Sequence, residues 1–359
     1  MDIPFSYWRG GTSRAVILRG EHLPGDSAAL KELCLRIVRG RGGSLGPDFP
    51  SGKIEVVAAP TRPDADVDFT HYQVDWRTGH VEHRGSCGNL TSAIGPYAVA
   101  AGLVAPCAPE TTVRIHNTNT GRIVLARIPV SGGRVTDTGD TAVAGAPDGA
   151  PVQLRFLAPG GSLTGRLFPT GRHTDVFSLP GGRVEATLID CANPTVVVRA
   201  ADLGVRGDEP DLDARAALLR DIGALRAQAA VLFGLVERPQ QAATQSTYVP
   251  HVALLAPAAD YTTADGQPIS RSRFDFLSRA FIRHQHPTFP AAAAIAAAAA
   301  TLLPGTVCCS NGAKPGEHRV VLGHPAGLFP VTLTLEDGQI ACADILRSAH
   351  CIFDGVLHL

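Results

Sequence analysis

The strongest constraint on the fold is that one order of segments occurs twice along the chain. In each half, an apolar strand precedes a long apolar helix, which is followed by a strand, a polar turn containing glycine and another strand. The helices are expected at 90–104 and 290–303, and the preceding strands at 54–58 and 252–256. This order predicts two similar domains that face each other across a cleft, with the N-terminus of each buried helix pointing into it. The alternative is a chance match of strand and helix order.

The chain is long enough for two domains. It has 359 residues, of which 45% are hydrophobic, and this is sufficient for two cores. A stretch rich in Gly, Pro and Asp at about 131–152 is the expected boundary, so we predict one domain over 1–150 and a second over 151–345. Further strands are expected at 15–18, 67–75, 113–115, 123–129, 184–190, 195–199, 320–322 and 331–335, and further helices at 27–39 and 212–234.

The composition argues against several classes of protein. A net charge of −1 gives no reason to expect a nucleic-acid or membrane partner. The eight cysteines show no CxxC pairs or regular spacing, which favours reduced thiols over a disulfide framework or a zinc ribbon. The N-terminus lacks the pattern of a signal peptide, and the longest apolar stretch, 291–303, is too short to span a bilayer. We therefore expect a soluble, cytoplasmic protein.

Ser86, Cys87, Gly88 and Asn89 form the first candidate site. They end a polar stretch and precede the first apolar helix, so the cysteine is expected in a first helical turn, where unpaired N–H groups and the helix dipole favour the thiolate. Gly88 permits close approach of a ligand to the backbone, and Asn89 offers both a donor and an acceptor. The alternative is a small buried hydrophobe, which is the common environment of a free cysteine.

Lys53 is the second candidate, at the start of a predicted strand. It is one of only three lysines in a chain with 32 basic residues. Arginine cannot act as a base at neutral pH, whereas a desolvated lysine can. The alternative is a strand-end lysine in solvent.

Taken in order, the motifs of this chain resemble those of the PrpF-like isomerases, which have the diaminopimelate-epimerase-like fold. The resemblance extends from the first residues to the last. It implies an α/β (α+β) fold with two pseudo-symmetric domains, each a curved, mostly antiparallel sheet around a central helix. It also implies that 346–359 packs back on the first domain. In chain order the motifs include RGGTS at 9–13, Lys53, SCGNLTSAIGPY at 86–97, NTG at 119–121, NP at 193–194, DLG at 202–204, PGT at 304–306 and GHPAG at 323–327.

The resemblance implies an allylic isomerase or tautomerase that moves a C=C bond in a small unsaturated di- or tricarboxylic acid, such as an aconitate, methylitaconate or oxalomesaconate. It implies no metal or organic cofactor, and a homodimer is an expectation at the level of the family. Lys53 and Cys87 match the family's proton-transfer pair. The expected substrate contacts are Arg9, Gly11, Thr12, Ser13, Arg14, Ser86, Gly88, Asn89, Asn119 and His324, with Arg347 as a further cation.

An allylic shift needs one proton removed beside a carboxylate and one delivered two carbons away, through a dienolate-like anion. Cys87 either delivers that second proton or only stabilises the anion, and both roles stay open. Departures from the family pattern at Arg14, at Ser51–Gly52 and at His350 leave the identity of the acid open.

Two alternative functions are also considered. A racemase or epimerase of the same fold needs an acid and a base on opposite faces of one carbon, and such relatives place a second cysteine at the start of the second helix. This chain has Thr288, Phe289 and Pro290 there, which argues against racemisation by two thiols. The other alternative is a non-catalytic protein that binds carboxylates.

Overall fold

The computed structural model describes residues 2–39, 52–309 and 312–359. It divides into two units, Met1–Phe156 together with Leu346–Leu359, and Leu157–Ile345. Ser51 and most of the short loop that precedes Lys53 lie outside the described residues. No helix of the described part is long and apolar enough to cross a membrane.

The first unit is a sheet with two main helices. Its strands pair in the order β1–β2 antiparallel, β2–β3 parallel, β3–β4 antiparallel, β4–β6 parallel and β6–β7 antiparallel. The elements are β1 Asp2–Gly10, β2 Ser13–Arg19, α1 Ser27–Arg39, β3 Lys53–Ala58, β4 Val67–Asp75, β5 His80–Glu82, α2 Gly88–Ala100, β6 Glu110–Asn117, β7 Arg122–Ser131, β8 Arg134–Val135, β9 Thr141–Val143, β10 Ala146–Gly149 and β11 Pro151–Leu157.

The two faces of this sheet are covered by different helices. Val16 of β2 and Ile54 of β3 belong to the same core cluster as Leu33 of α1. Because successive side chains of a strand point to opposite faces, Ala15 and Lys53 project from the other face. There Ala15 packs against the start of α2. Helix α2 is buried on all sides from its first residue to Val99, as expected of a helix at the centre of a core.

The second unit repeats the pairing order of the first. Its strands pair in the order β13–β14 antiparallel, β14–β15 parallel, β15–β18 antiparallel, β18–β19 parallel and β19–β20 antiparallel. The predicted internal repeat is thereby confirmed. The elements are β12 Asp175–Leu179, β13 Gly182–Cys191, β14 Asn193–Arg199, α3 Ala216–Leu232, α4 Ala242–Gln245, β15 His251–Pro257, β16 Tyr261–Thr262, β17 Pro268–Ile269, β18 Phe276–Phe281, α5 Ala291–Leu302, β19 Gly316–His324, β20 Gly327–Glu336 and β21 Gln339–His358.

The last strand, β21, continues out of the second unit into the first. Its final residues pair antiparallel with β1, in a register that places Ala349 opposite Gly10 and His358 opposite Asp2. The first strand of the chain therefore lies beside the last one, and residues near position 348 are brought close to the turn between β1 and β2.

Helix α2 is shorter than the sequence pattern predicted. It ends at Ala100, whereas the apolar run continues to Val104. Gly102 adopts φ +72°, and the N–H groups of Leu103 and Val104 both bond back to the carbonyl of Ala98 at 2.8 and 3.2 Å. A left-handed glycine with such backward bonds is a common helix end. The apolar residues beyond it belong to the turn that leaves the helix.

The close packing of α2 on the sheet generates a stability prediction. A Cβ on Gly95 would lie 2.8 Å from the Cβ of Ala126 on β7, so Gly95→Ala should lower the free energy of unfolding by about 1–3 kcal/mol through overpacking. Gly223 in helix α3 is exposed and has nothing within 4 Å of its added Cβ. The matched control Gly223→Ala should therefore stabilise the chain by up to about 1 kcal/mol. Denaturant unfolding measures both changes, and equal effects of the two substitutions would contradict this packing.

Candidate active site

The structure brings Lys53, Cys87 and Ser13 together. The Nζ of Lys53 lies 3.8 Å from the Sγ of Cys87 and donates a hydrogen bond of 3.1 Å to the Oγ of Ser13. The Sγ of Cys87 is also 3.8 Å from this hydroxyl. An amine and a thiol at this separation can both reach one small ligand, and the serine hydroxyl can orient them.

Local structure explains why these three residues meet. In the parallel pair of β2 and β3, Val16 aligns with Ile54, so Lys53 at the start of β3 lies beside Ala15, two residues after Ser13. Alternate residues of a strand share a face, so Ser13 projects from the same face of the sheet as Lys53. Cys87 is the N-cap residue of α2, with extended backbone angles of φ −95° and ψ 96°, and is buried. The first N–H groups of a helix have no acceptor within the helix. The thiol therefore lies at the positive end of α2, above the face of the sheet that carries Lys53.

The turn between β1 and β2 packs directly on the first turn of α2. A Cβ on Gly10 would lie 2.6 Å from the backbone oxygen of Asn89, and one on Gly11, whose φ is +50°, would lie 2.6 Å from its Oδ1. Asn89 in turn donates through Nδ2 to the Oγ1 of Thr12 at 3.1 Å. Glycine is required at positions 10 and 11 because the helix backbone and the Asn89 amide occupy the space of a side chain.

Two buried arginines lie beside this turn. Arg9 donates through Nη1 to the carbonyl of Gly11 at 3.2 Å and to the Oγ of Ser348 at 3.0 Å, and burial, together with the charge of Arg14, lowers its pKa. Burial also lowers the pKa of Arg347 to about 9. A guanidinium that has lost its hydration binds a carboxylate strongly, so both are candidate ligands for a substrate carboxylate. Arg14 lies opposite Arg9 in the hairpin and is exposed.

Asn117, the last residue of β6, and Asn119, in the turn that follows, hold the segment that leads to Cys87. Asn117 donates through Nδ2 to the Oγ of Ser86 at 2.5 Å. Asn119 accepts from the N–H of His71 at 2.7 Å and donates to the carbonyls of His71 and His83 at 2.9 and 2.6 Å. The Asn119 side chain therefore ties this segment to β4, and substrate contact by it stays a prediction. Asn117 was missed as a site residue, although it lies two residues before the NTG motif at 119–121.

His324 lies in the second unit. It is buried, its Nδ1 accepts from the N–H of Ala326 at 3.2 Å, and its carbonyl accepts from the hydroxyl of Tyr261 at 3.1 Å. Its contact with substrate stays a prediction. Helix α5 of this unit begins at Ala291 with Pro290 as its N-cap.

A buried acid–imidazole pair, not predicted from the sequence, lies near Lys53. The Oε1 of Glu55 is 2.8 Å from the Nδ1 of His71, with side-chain exposures of 0% and 1%. Burial raises the pKa of Glu55 well above its usual range, against the charge of Lys53. Burial lowers the pKa of His71 to about 4. The strand register, which places Glu55 opposite His71, is the signal that would have revealed the pair.

A second buried carboxylate, Glu82, lies on β5 and is paired with Arg84. Arg84 donates to it through Nε at 2.8 Å and through Nη2 at 3.1 Å, while the Nε2 of His80 lies 3.5 Å away. Burial on its own would raise the pKa of Glu82, but its interactions with His80 and Arg84 outweigh burial and lower it to about 2. In residues 2–39, 52–309 and 312–359, no group of three or more His, Cys, Asp or Glu could hold a metal ion.

Comparison with known sequences finds relatives along the whole chain. A family model described as PrpF protein matches residues 1–359. The 3-methylitaconate isomerase of Eubacterium barkeri is 34% identical over 370 residues, which cover 100% of this chain and 97% of that protein. The (4E)-oxalomesaconate Delta-isomerase of Novosphingobium sp. (strain KA1) is 34% identical over 367 residues, which cover 99% and 96%.

Comparison with solved structures supports the same fold. A methylitaconate-delta-isomerase matches with a TM-score of 0.80 and 32% identity, over 99% of this chain and 95% of that one. A hydroxyproline epimerase from Agrobacterium vitis matches with a TM-score of 0.61 over 100% and 93%, and at 13% identity it is informative about the fold alone. The predicted epimerase-like α/β fold is thereby confirmed.

The low pKa of Glu82 generates a prediction about pH and stability. The folded-state pKa, about 2, lies below the ordinary value of 4.5, so the stabilisation is fully present above pH 4.5 and is lost as the pH falls toward 2. At neutral pH, Glu82→Gln should lower the free energy of unfolding by about 1–3 kcal/mol, and this difference from the wild type should shrink on acidification.

Denaturant unfolding at neutral and acidic pH measures this difference. Glu21 is a matched control, because it is exposed and paired with Arg19 at 2.9 Å. Glu21→Gln should change stability by at most about 1 kcal/mol, as is usual for surface ion pairs. A Glu82→Gln effect that is independent of pH would contradict the assignment.

Proposed function

This chain belongs to the PrpF family and is an isomerase, and we propose that it moves a C=C double bond within a small unsaturated di- or tricarboxylic acid. The observation that carries the proposal is the distance of 3.8 Å between the Nζ of Lys53 and the Sγ of Cys87. The relatives named for methylitaconate and oxalomesaconate support an acid of this class, since both substrates are small unsaturated carboxylic acids.

We propose that Lys53 is the base. Its neutral amine removes a proton from the carbon next to the C=C bond, and the electron pair of the broken C–H bond spreads over the allylic system as a dienolate-like anion. The thiol of Cys87 then delivers its proton to the carbon at the far end of that system. A proton passes from the Lys53 ammonium to the Cys87 thiolate over 3.8 Å, which restores both groups.

The anion needs positive charge and hydrogen-bond donors in place before the reaction. The backbone N–H groups of Gly88 and Asn89 at the start of α2 are suited to a carboxylate. Arg9 and Arg347 are the cations that we assign to the substrate, because both are buried and lie beside the turn that packs on this helix end.

The arrangement favours double-bond transposition over racemisation. Lys53 and Cys87 belong to the same unit and are close enough to act on one face of a planar allylic system. A racemase needs groups on opposite faces of a single carbon, and the start of α5 has Thr288, Phe289 and Pro290 where a second cysteine would be needed.

The alternative role of Cys87, stabilising the anion while Lys53 delivers the proton, predicts partial activity of Cys87→Ser. A homodimer stays an expectation, which light scattering checks.

The experiment is incubation in D₂O with aconitates, itaconates and oxalomesaconate, followed by NMR. The wild type should isomerise at least one acid and introduce deuterium at its allylic carbons. Lys53→Ala should lower kcat by about 10²–10⁴-fold, the usual contribution of a general base, and Cys87→Ser should also lower it.

Two matched variants, in which a lysine and a cysteine outside the candidate site are replaced, serve as controls. Lys31 and Cys107 are exposed, so Lys31→Ala and Cys107→Ser should retain wild-type turnover. The substrate class is wrong if the wild type transforms no member of the panel. Binding of these acids without turnover, unchanged in Lys53→Ala and Cys87→Ser, would instead indicate a carboxylate-binding protein.

A further inference from the structure

The buried pair of Glu55 and His71 lies two residues along strand β3 from Lys53. In the antiparallel pair of β3 and β4, Lys53 is opposite Gln73 and Glu55 is opposite His71. Alternate residues of a strand share a face, so Lys53, Glu55 and His71 all project toward the side covered by α2. A buried carboxyl group thus lies two residues from the lysine that we propose as the base.

The surroundings of Glu55 are unsuited to an ionised carboxylate. Its Oε1 is bonded to the Nδ1 of His71 at 2.8 Å, whereas its Oε2 is buried and has no hydrogen-bond partner within the described part of the chain. A carboxylate that is removed from water requires several hydrogen-bond donors or a cation beside it. A protonated carboxyl group needs less compensation, because its O–H can donate to Nδ1 and no charge is then buried.

The titratable groups that act on the pair come from three elements. Lys53 on β3, Cys87 at the start of α2 and Glu82 on β5 are the groups that act on His71, and Lys53 acts on Glu55. Glu82 is itself paired with Arg84, and α2 carries no Asp, Glu, Lys, Arg or His between Gly88 and Ala100. Burial is the largest influence on both members, and it favours the neutral form of each.

We propose that Glu55 and His71 are positioning residues that share one proton as an uncharged acid–imidazole pair, which leaves Lys53 without a carboxylate counter-ion from Glu55. The proposal rests on the role of Lys53 as the base. An ionised Glu55 would hold the lysine in its protonated form, in which it cannot accept a proton from carbon. With the pair neutral, the ammonium formed during the reaction is balanced by the substrate anion.

Infrared spectroscopy tests the protonation state directly and without turnover. At neutral pH the wild type should show the C=O stretching band of a protonated carboxyl group, and Glu55→Gln should lose it. Glu21→Gln, which alters an exposed carboxylate, should retain the band. If the wild type shows no such band that disappears in Glu55→Gln, the proposal is overturned, whatever the turnover assays with the acids show.

The pH profile of kcat/KM tests the consequence for Lys53. A glutamine has the same charge and nearly the same shape as an uncharged Glu55. If Glu55 is uncharged, Glu55→Gln should therefore leave the acid limb of the profile at the same pH as in the wild type. If Glu55 is instead a counter-ion of Lys53, its removal should shift that limb to lower pH by about one unit or more, and this result would overturn the proposal.

NMR of the histidine ring nitrogens keeps the proposal testable if Glu55→Gln does not fold. In the wild type, the His71 ring should remain neutral between about pH 5 and 8, the range in which an ordinary histidine titrates. His71→Gln identifies its signals by their loss. A His71 imidazolium at neutral pH would indicate an ion pair with Glu55 and would overturn the proposal.

Discussion

The contact on which the rest of the site depends is the packing of the Gly10–Gly11 turn on the first turn of α2. Cβ atoms at either position would lie 2.6 Å from atoms of Asn89, so only a turn without side chains permits this approach. The contact fixes Ser13 at the start of β2, where it meets both Lys53 and Cys87. It also places the buried arginines beside the helix end.

In the first unit, alternate residues of the strands point to opposite faces of the sheet, and the two faces have different roles. One face is an apolar core shared with α1. The other carries Lys53, Glu55 and His71 beneath a central helix that has no charged side chain. Glu55 and His71 are buried there, so water does not screen the interaction between them. This is the reason that burial dominates the protonation of the Glu55–His71 pair.

Sequence reasoning located the elements whose patterns are local. The bounds of α1 at 27–39 and of β4 at 67–75 agree with the predicted ones, because amphipathic periodicity is carried by neighbouring residues. Strands β1 and β21 were missed, since they pair with each other across nearly the whole chain and no local pattern reveals this. The proximity of Lys53 and Cys87 was expected only from the family resemblance. The Glu55–His71 pair depends on strand register, which the sequence leaves open.

The pairing of β1 with β21 has a consequence for how the enzyme matures during synthesis. Domains generally begin to fold from the N-terminus while the ribosome is still adding residues. The carbonyl of Ser348 accepts from the N–H of Gly11 at 2.8 Å, and its hydroxyl accepts from Arg9, yet Ser348 is translated only after the whole second unit. A nascent chain that still lacks β21 holds Lys53 and Cys87 but not these restraints on the glycine turn. The glycine turn of the candidate site therefore gains its contacts with Ser348 only after the last strand has left the ribosome.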